Sequence, residues 1–214
     1  MFDWGELRRT EPVSRRFGFD RGKPVDRRYI EGFLDSHRQD IRGRVLEIGD
    51  RNYTQRFGGE RVTRSDVYDR PDRGNRDATL TGDLGGEARL PAAAFDCLVV
   101  CQTLLFVYDV ERAMRNLHGT LKPGGVLLMT VPGISQIVRE DMNDEGDYWR
   151  FTTRSLGTLA ARSFDPARVQ VQAWGNVLAC VAFLHGLAVE DVRDEELAVR
   201  DPDYQLIVTL RARA

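Results

Sequence analysis

Residues 95 to 103, FDCLVVCQT, set the tightest limit on the fold. Apart from Asp96 the run is apolar from Phe95 through Cys101, so a strand built from it has no face that tolerates water. Such a strand must be covered by helices on both sides, which is the arrangement of a doubly wound, mostly parallel sheet. The rest of the chain supplies the partners. Strand-like runs stand at RVLEIG (44–49), ERVTRSDV (60–67), ATLTGDL (78–84), GVLLMTVP (125–132), RVQVQAWG (168–175) and, at the C-terminus, YQLIVTLRARA (204–214). With 95–103 they predict a seven-stranded α/β sheet whose last strand is antiparallel.

Helical patterns separate these runs. VDRRYIEGFLDSHRQ (25–39) places Val25, Tyr29, Ile30, Phe33 and Leu34 on one face. DVERAMRNLHGTLKPGG (109–125) carries Val110, Met114, Leu117 and Leu121 on a stripe and is expected to end at Gly124-Gly125. Thr153 or Ser155 is placed to cap a helix running to Phe164, and NVLACVAFLHGLA (176–188) reads as a helix buried all round. The 214 residues, 42% hydrophobic and 30% charged, fit a single domain over 25–214, preceded by an arm or lid over 1–24.

A net charge of -2 gives no basic field for a phosphate backbone, so nucleic acid is not an expected partner. No run approaches the ~18 apolar residues of a membrane span, and the N-terminus lacks the apolar core of a signal peptide. A cytoplasmic protein is therefore expected. Cys97, Cys101 and Cys180 form no C-x-x-C pair and read as reduced core thiols.

The most informative turn follows the first strand. RVLEIGDRNYTQRFGG (44–59) has the first glycine of a G-x-G-x-x-G fingerprint and lacks the other two. A dinucleotide needs those glycines so that its pyrophosphate can approach a helix N-terminus, and Arg51, Asn52 and Tyr53 stand in the way. A cofactor without phosphate needs only the one glycine turn. S-adenosylmethionine, with its adenine, ribose diol, sulfonium and amino-acid end, meets that description. A carboxylate about 20 residues on is expected to hold the ribose diol, and Asp66 is the acid selected. Asp83-Leu84 in TGDLGG offers a carboxylate for an adenine amino group beside an apolar surface for the ring.

GDLGGEARLPAAAFDCLVVCQTLLFVYDVERAMRNLHGTLKPGGVLLMTVPG resembles the central half of a class I S-adenosylmethionine-dependent methyltransferase of the small-molecule type, a Rossmann-like fold. The matching pieces are GDL, then LP and FD before the fourth strand, and LKPGG before the fifth. The later DYWRFT resembles a subgroup often found with glycosyltransferases. The resemblance implies that Glu47, Gly49 and Asp50 form the first cofactor motif, Asp66 the ribose acid, Asp83 and Leu84 the adenine site, and Gln102 and Thr103 the residues that face the cofactor after the fourth strand. This chain departs from the pattern in its missing glycines, for which Tyr53 and Thr54 are expected to compensate, and in Val107, where many relatives have a histidine.

The long connection 133–150 is expected to wall the acceptor site, since connections of this length in compact domains are usually functional or disordered. Gln136, Arg139, Tyr148, Trp149 and Arg150 are the candidate substrate-binding residues; a solvated loop anchored by Trp149 and Phe151 is the plainer alternative. His185, Asp147 and Tyr148 are candidates for a catalytic role, with no residue assigned to it. His37 and His118 read as surface groups. The acids Asp141, Asp144, Glu145 and Asp147 are more simply a solvated loop than a Mg²⁺ site, and no metal is assigned. In the arm, Arg21 or Tyr29 is expected to meet the cofactor carboxylate. The resulting expectation is methylation of a small polar metabolite, as O-methylation of a sugar or of a glycosylated or natural-product acceptor. The alternatives are an N-methyltransferase, an NAD(P)-dependent oxidoreductase on the same fold, or a catalytically silent cofactor-binding relative. A small-molecule acceptor is the expected partner, and a homodimer stays open.

Overall fold

In a computed structural model, which describes residues 5–139 and 146–214, the chain forms the expected sheet of seven strands. The strands are β1 (Gly43–Ile48), β2 (Val62–Asp69), β3 (Leu80–Thr81), β4 (Phe95–Cys101), β5 (Leu121–Pro132), β6 (Val169–Trp174) and β7 (Ile207–Arg213). Their order is β3-β2-β1-β4-β5-β7-β6, with β7 antiparallel to both neighbours and the other pairings parallel. Chain order reverses between β1 and β4, so the carboxyl ends of those two strands flank the crevice where a ligand of this fold belongs.

The β4 run behaves as its composition requires. Leu98 and Val100 enter one core layer with Met114, Leu117, Leu127 and Met129. Cys97 and Val99 enter the opposite layer with Ile30, Phe33, Leu128 and Phe183. The helices that close these layers are α1 (Val25–Ser36), α2 (Val110–Thr120), α3 (Thr153–Ala160) and α4 (Val177–Leu184), with a short α5 (Asp194–Ala198). Side chains fix three of their starts: Asp109 accepts from the Arg112 N–H, Thr152 forms a reciprocal box with Ser155, and Asn176 accepts from the Ala179 N–H.

Several boundaries differ from the sequence expectation. α2 stops at Thr120, not at Gly124-Gly125, because Leu121 already pairs with Phe95 at the start of β5. Thr152 rather than Thr153 or Ser155 caps α3, which ends at Ala160. α4 is not buried all round: Val177, Leu178 and Leu184 are exposed. β2 continues two residues past Val67 to Asp69, and this shift moves a functional assignment. Among the described residues, no helix is long and apolar enough to cross a membrane.

The arm reaches the domain through backbone bonds. Val13 and Ser14 donate to the His185 carbonyl, Val189 donates to the Lys23 carbonyl, and Pro24 bridges to Ala188. This docking sets Phe17 against Phe183, ring centroids 5.8 Å apart, and places Phe19 beside the Arg27 guanidinium.

Candidate active site

The turn after β1 is built without its extra glycines. Gly49 takes φ +86°, with open space where a side chain would stand, so a ligand can approach this backbone closely. Glu47, nearly fully buried, turns back under the turn and accepts from the Tyr53 N–H at 3.1 Å and the Thr54 N–H at 2.7 Å. The chain's own carboxylate thus occupies the anion position at the start of the helical segment that continues as a π-turn over Thr54–Gly58. A pyrophosphate would have to displace it. Burial raises the Glu47 pKa to about 7, with the bonds from Thr54 and Tyr53 working in the other direction. Asp50 accepts from the Asn52 N–H at the same turn.

Asp66, the acid selected from the sequence, is buried and does not line the crevice. Asp66 pairs in register with Leu46, whereas Tyr68 pairs with Ile48. Asp66 therefore lies about 10 Å below the end of β2, three residues at ~3.3 Å each. Its buried carboxylate is committed: it accepts from Arg44 Nε at 2.7 Å, Arg64 Nη2 at 3.0 Å and the Thr79 hydroxyl at 3.1 Å. Burial alone would raise its pKa, but these donors hold it below the usual carboxylate value. The acid at the strand end is Asp69. It accepts from the Arg70 N–H at 2.8 Å and from Asn75 Nδ2 at 2.7 Å, and the same Asn75 amide also reaches the Gly49 carbonyl. Asp69 lines the crevice with Ile48, Gly49, Asp83, Leu84, Gln102, Thr103 and Val107.

Asp83 and Leu84 line the same crevice as Ile48. Asp83 is exposed, with one oxygen accepting from the Gly85 N–H, and Leu84 is buried. Gln102 adopts φ +50° just past β4, held by its N–H to the Thr130 carbonyl, while the Thr103 hydroxyl donates to the Cys101 carbonyl. A left-handed non-glycine residue costs about 1–2 kcal/mol, and such strain clusters at ligand sites. Gln102→Gly is expected to raise unfolding stability by about 1 kcal/mol while weakening the cofactor, which denaturation and calorimetry on one preparation will show together. Cys101 packs against the core and also borders the same crevice.

Two further hollows continue from this crevice. One, toward the start of the first helical turn, is lined by Phe19, Arg27, Glu47, Asp50, Asn52 and Tyr53. The other lies under the arm, lined by Phe17, Phe19, Asp26, Arg27, Leu105, Phe106, Ser135, Val138 and Phe183. All three share Cys101 and Gln102.

In the described parts of the 133–150 connection, several polar side chains are tied to the loop itself. Asp147 is tied to Arg150 through both oxygens and to the Val138 N–H, so it braces the loop rather than serving as a free base. Arg150 also donates to the Gln136 and Trp149 carbonyls. Trp149 Nε1 donates to the Val107 carbonyl, and Tyr148 stands edge-on to Tyr108. Gln136 and Arg139 border the outer mouth beside Arg15, Arg16 and Phe19. His185 ends α4 and receives the arm through its carbonyl. Asp141, Asp144 and Glu145 lie outside the described residues. Arg21 is paired with Asp191, and the Tyr29 hydroxyl donates to the Leu197 carbonyl, so neither is placed to meet a cofactor carboxylate; Arg27 lines the adjoining hollow beside Tyr53, while Arg70 and Arg73 line the crevice beside Asp69.

Sequence reasoning missed Asp69, Asp26, Arg27 and the aromatic wall of Phe17, Phe19 and Phe106. Asp69 alone left a usable signal, since it stands 20 residues after Gly49 at the end of VTRSDVYD. The other residues are brought together only by the docking of the arm.

Comparison with known proteins agrees with this geometry. Residues 51–129 match the family model described as a methyltransferase domain. No curated protein sequence matches the chain. Among solved structures, an S-adenosylmethionine-dependent methyltransferase from Mesorhizobium loti superposes with TM-score 0.58 at 17% identity, over 89% of this chain and 98% of that one. A possible histamine N-methyltransferase from Thermotoga maritima gives 0.51 at 19% identity, over 88% and 93%. Phosphoethanolamine N-methyltransferase 2 of Haemonchus contortus, in complex with S-adenosyl-L-methionine, gives 0.51 at 14% identity, over 80% of this chain and 48% of that one. These identities carry the fold and no further, while the family model spans β2 to β4, most of β5 and the Asp69–Val107 wall of the crevice, but not β1 or Gly49. The chain thus shares the fold of these methyltransferases, and its residues 51–129 match a methyltransferase domain.

Proposed function

We propose that the protein transfers a methyl group from S-adenosylmethionine to a hydroxyl oxygen of a small molecule seated beneath the N-terminal arm. The observation that carries this reading is the continuity of the hollows: the one under the arm meets the cofactor crevice at Cys101, Gln102 and Phe106. The residues fit the cofactor piece by piece. Asp69 is offered to the ribose diol, Asp83 and Leu84 to the adenine, with Ile48 and Val107 against the ring faces. Gly49 gives the close backbone approach, and Arg27 is offered to the carboxylate end. The bound sulfonium supplies an electrophilic methyl group. The protein's task is then to orient the acceptor oxygen and dispose of its proton, and positioning of this kind is worth about 7–11 kcal/mol.

The acceptor hollow is lined chiefly by phenylalanine and aliphatic side chains, with Asp26, Arg27 and Ser135 among them. That lining supports a natural-product scaffold with an apolar body over a bare sugar ring; a glycosylated scaffold fits with its sugar toward the mouth at Gln136 and Arg139. The described part of the arm, through Phe17 and Phe19, acts as the lid of the site. Titration calorimetry tests the cofactor side without an acceptor. Micromolar binding of S-adenosylmethionine and S-adenosylhomocysteine, with no heat from NAD(H), is expected; binding of NAD(H) instead would show that the Glu47 cap yields to a pyrophosphate and would sink the reading.

A further inference from the structure

Asp26 lies on the first turn of α1, 6% exposed, and lines the hollow under the arm. Its Oδ2 accepts from Arg27 Nη1 at 2.8 Å, while Oδ1 has no hydrogen-bond partner among the described residues. A buried carboxylate oxygen left in this state is costly, and such exceptions call for an explanation. The hollow supplies one, because a hydroxyl entering it would bring the missing donor. Phe17, Phe19 and Phe106 stand around the same space and offer ring faces to a flat apolar body.

We propose that Asp26 is the catalytic base, its Oδ1 taking the proton from a hydroxyl on a flat, aromatic-bodied acceptor packed among Phe17, Phe19 and Phe106. The proposal rests on the methyltransferase reading above. As the acceptor O–H bond breaks, its proton passes to Asp26. An oxygen electron pair forms the new C–O bond to the methyl carbon, and the C–S bond breaks with its electrons left on sulfur. The sulfonium becomes a neutral thioether and the carboxylate a carboxylic acid, so charge balances. Burial raises the Asp26 pKa, against the opposing effect of the Arg27 guanidinium, which moves a carboxylate toward useful basicity. Arg27 also lines the hollow toward Glu47 and Tyr53. One ion pair therefore joins the acceptor side to the donor side.

The probe is 7-hydroxy-4-methylcoumarin, whose fluorescence separates phenol from phenolate, titrated into protein saturated with S-adenosylhomocysteine at a pH where the free dye is protonated. Wild-type protein is expected to bind it and to raise its phenolate signal. Asp26→Asn is expected to keep the S-adenosylhomocysteine affinity, to lose the phenolate signal and to bind the dye about tenfold more weakly. Phe19→Ala, at a side chain already 54% exposed and so harmless to folding, is expected to weaken the dye several-fold while the bound dye still ionises. Three results would each overturn the proposal: an unchanged dye spectrum and affinity in Asp26→Asn, no dye binding to the wild-type complex, or equal binding of 4-methylcoumarin, which lacks the hydroxyl. Failure of S-adenosylhomocysteine to bind would instead strike the methyltransferase reading itself, and calorimetry reports that separately.

Discussion

Asp69→Asn is expected to weaken S-adenosylhomocysteine about 100-fold with little change in melting temperature, whereas Asp66→Ala is expected to leave that affinity within about twofold and to unfold the protein more easily. The first figure follows from two charge-assisted hydrogen bonds to the ribose hydroxyls, together worth about 3 kcal/mol. Asp69 already sits beside Gly49, held by Asn75 and the Arg70 N–H, so the acid is oriented before ligand arrives. The second figure follows from a buried ion pair broken at one partner, which costs about 3–5 kcal/mol. Removing Asp66 strands Arg44, whose guanidinium also lies 4.5 Å from the Phe95 ring centroid, and frees Thr79 from the strand edge. Calorimetry and denaturant unfolding on both variants separate the two roles. Loss of cofactor in Asp66→Ala at full fold, with Asp69→Asn unaffected, would restore the ribose assignment to Asp66.

That exchange shows what the sequence carried and what it did not. The β4 run, the single glycine after β1 and the GDL turn were legible because burial on two faces, a positive φ and a strand-end acid each leave a residue-type signature. The end of β2 was not, because Tyr68 and Asp69 read equally as strand or as loop. Only the register, with Tyr68 opposite Ile48, shows that the strand continues. Asp26 was invisible for a different reason. An acid in the first turn of a helix is ordinary capping chemistry, and the hollow it lines is walled by Phe17 and Phe19 from a segment with no periodicity of its own. The loop 133–150 misled in the opposite sense: Asp147 and Arg150 are chemistry-bearing types that satisfy each other, and pairing of that kind is decided by distance in three dimensions.

The same reasoning makes the Glu47 cap measurable through pH. Its pKa stands near 7 in the folded protein against 4.5 in the unfolded chain, so between those values the folded state holds a proton that the unfolded state has lost. Stability therefore falls as pH rises from about 4.5 to about 7 and is level above, by a total of about 3 kcal/mol. Asp26, also raised, contributes with the same sign, while His37, whose burial and neighbouring Arg211 lower its pKa, contributes with the opposite sign. Subtracting the stability of Glu47→Gln from that of wild type at each pH cancels both. The amide oxygen can still accept from Thr54 or Tyr53 without titrating, so the difference curve is expected to slope downward from about pH 5 to pH 7. Parallel curves would mean that the carboxylate is fully ionised beneath the turn. The helix start would then hold a complete negative charge of its own, and a ligand phosphate would be excluded more strongly still.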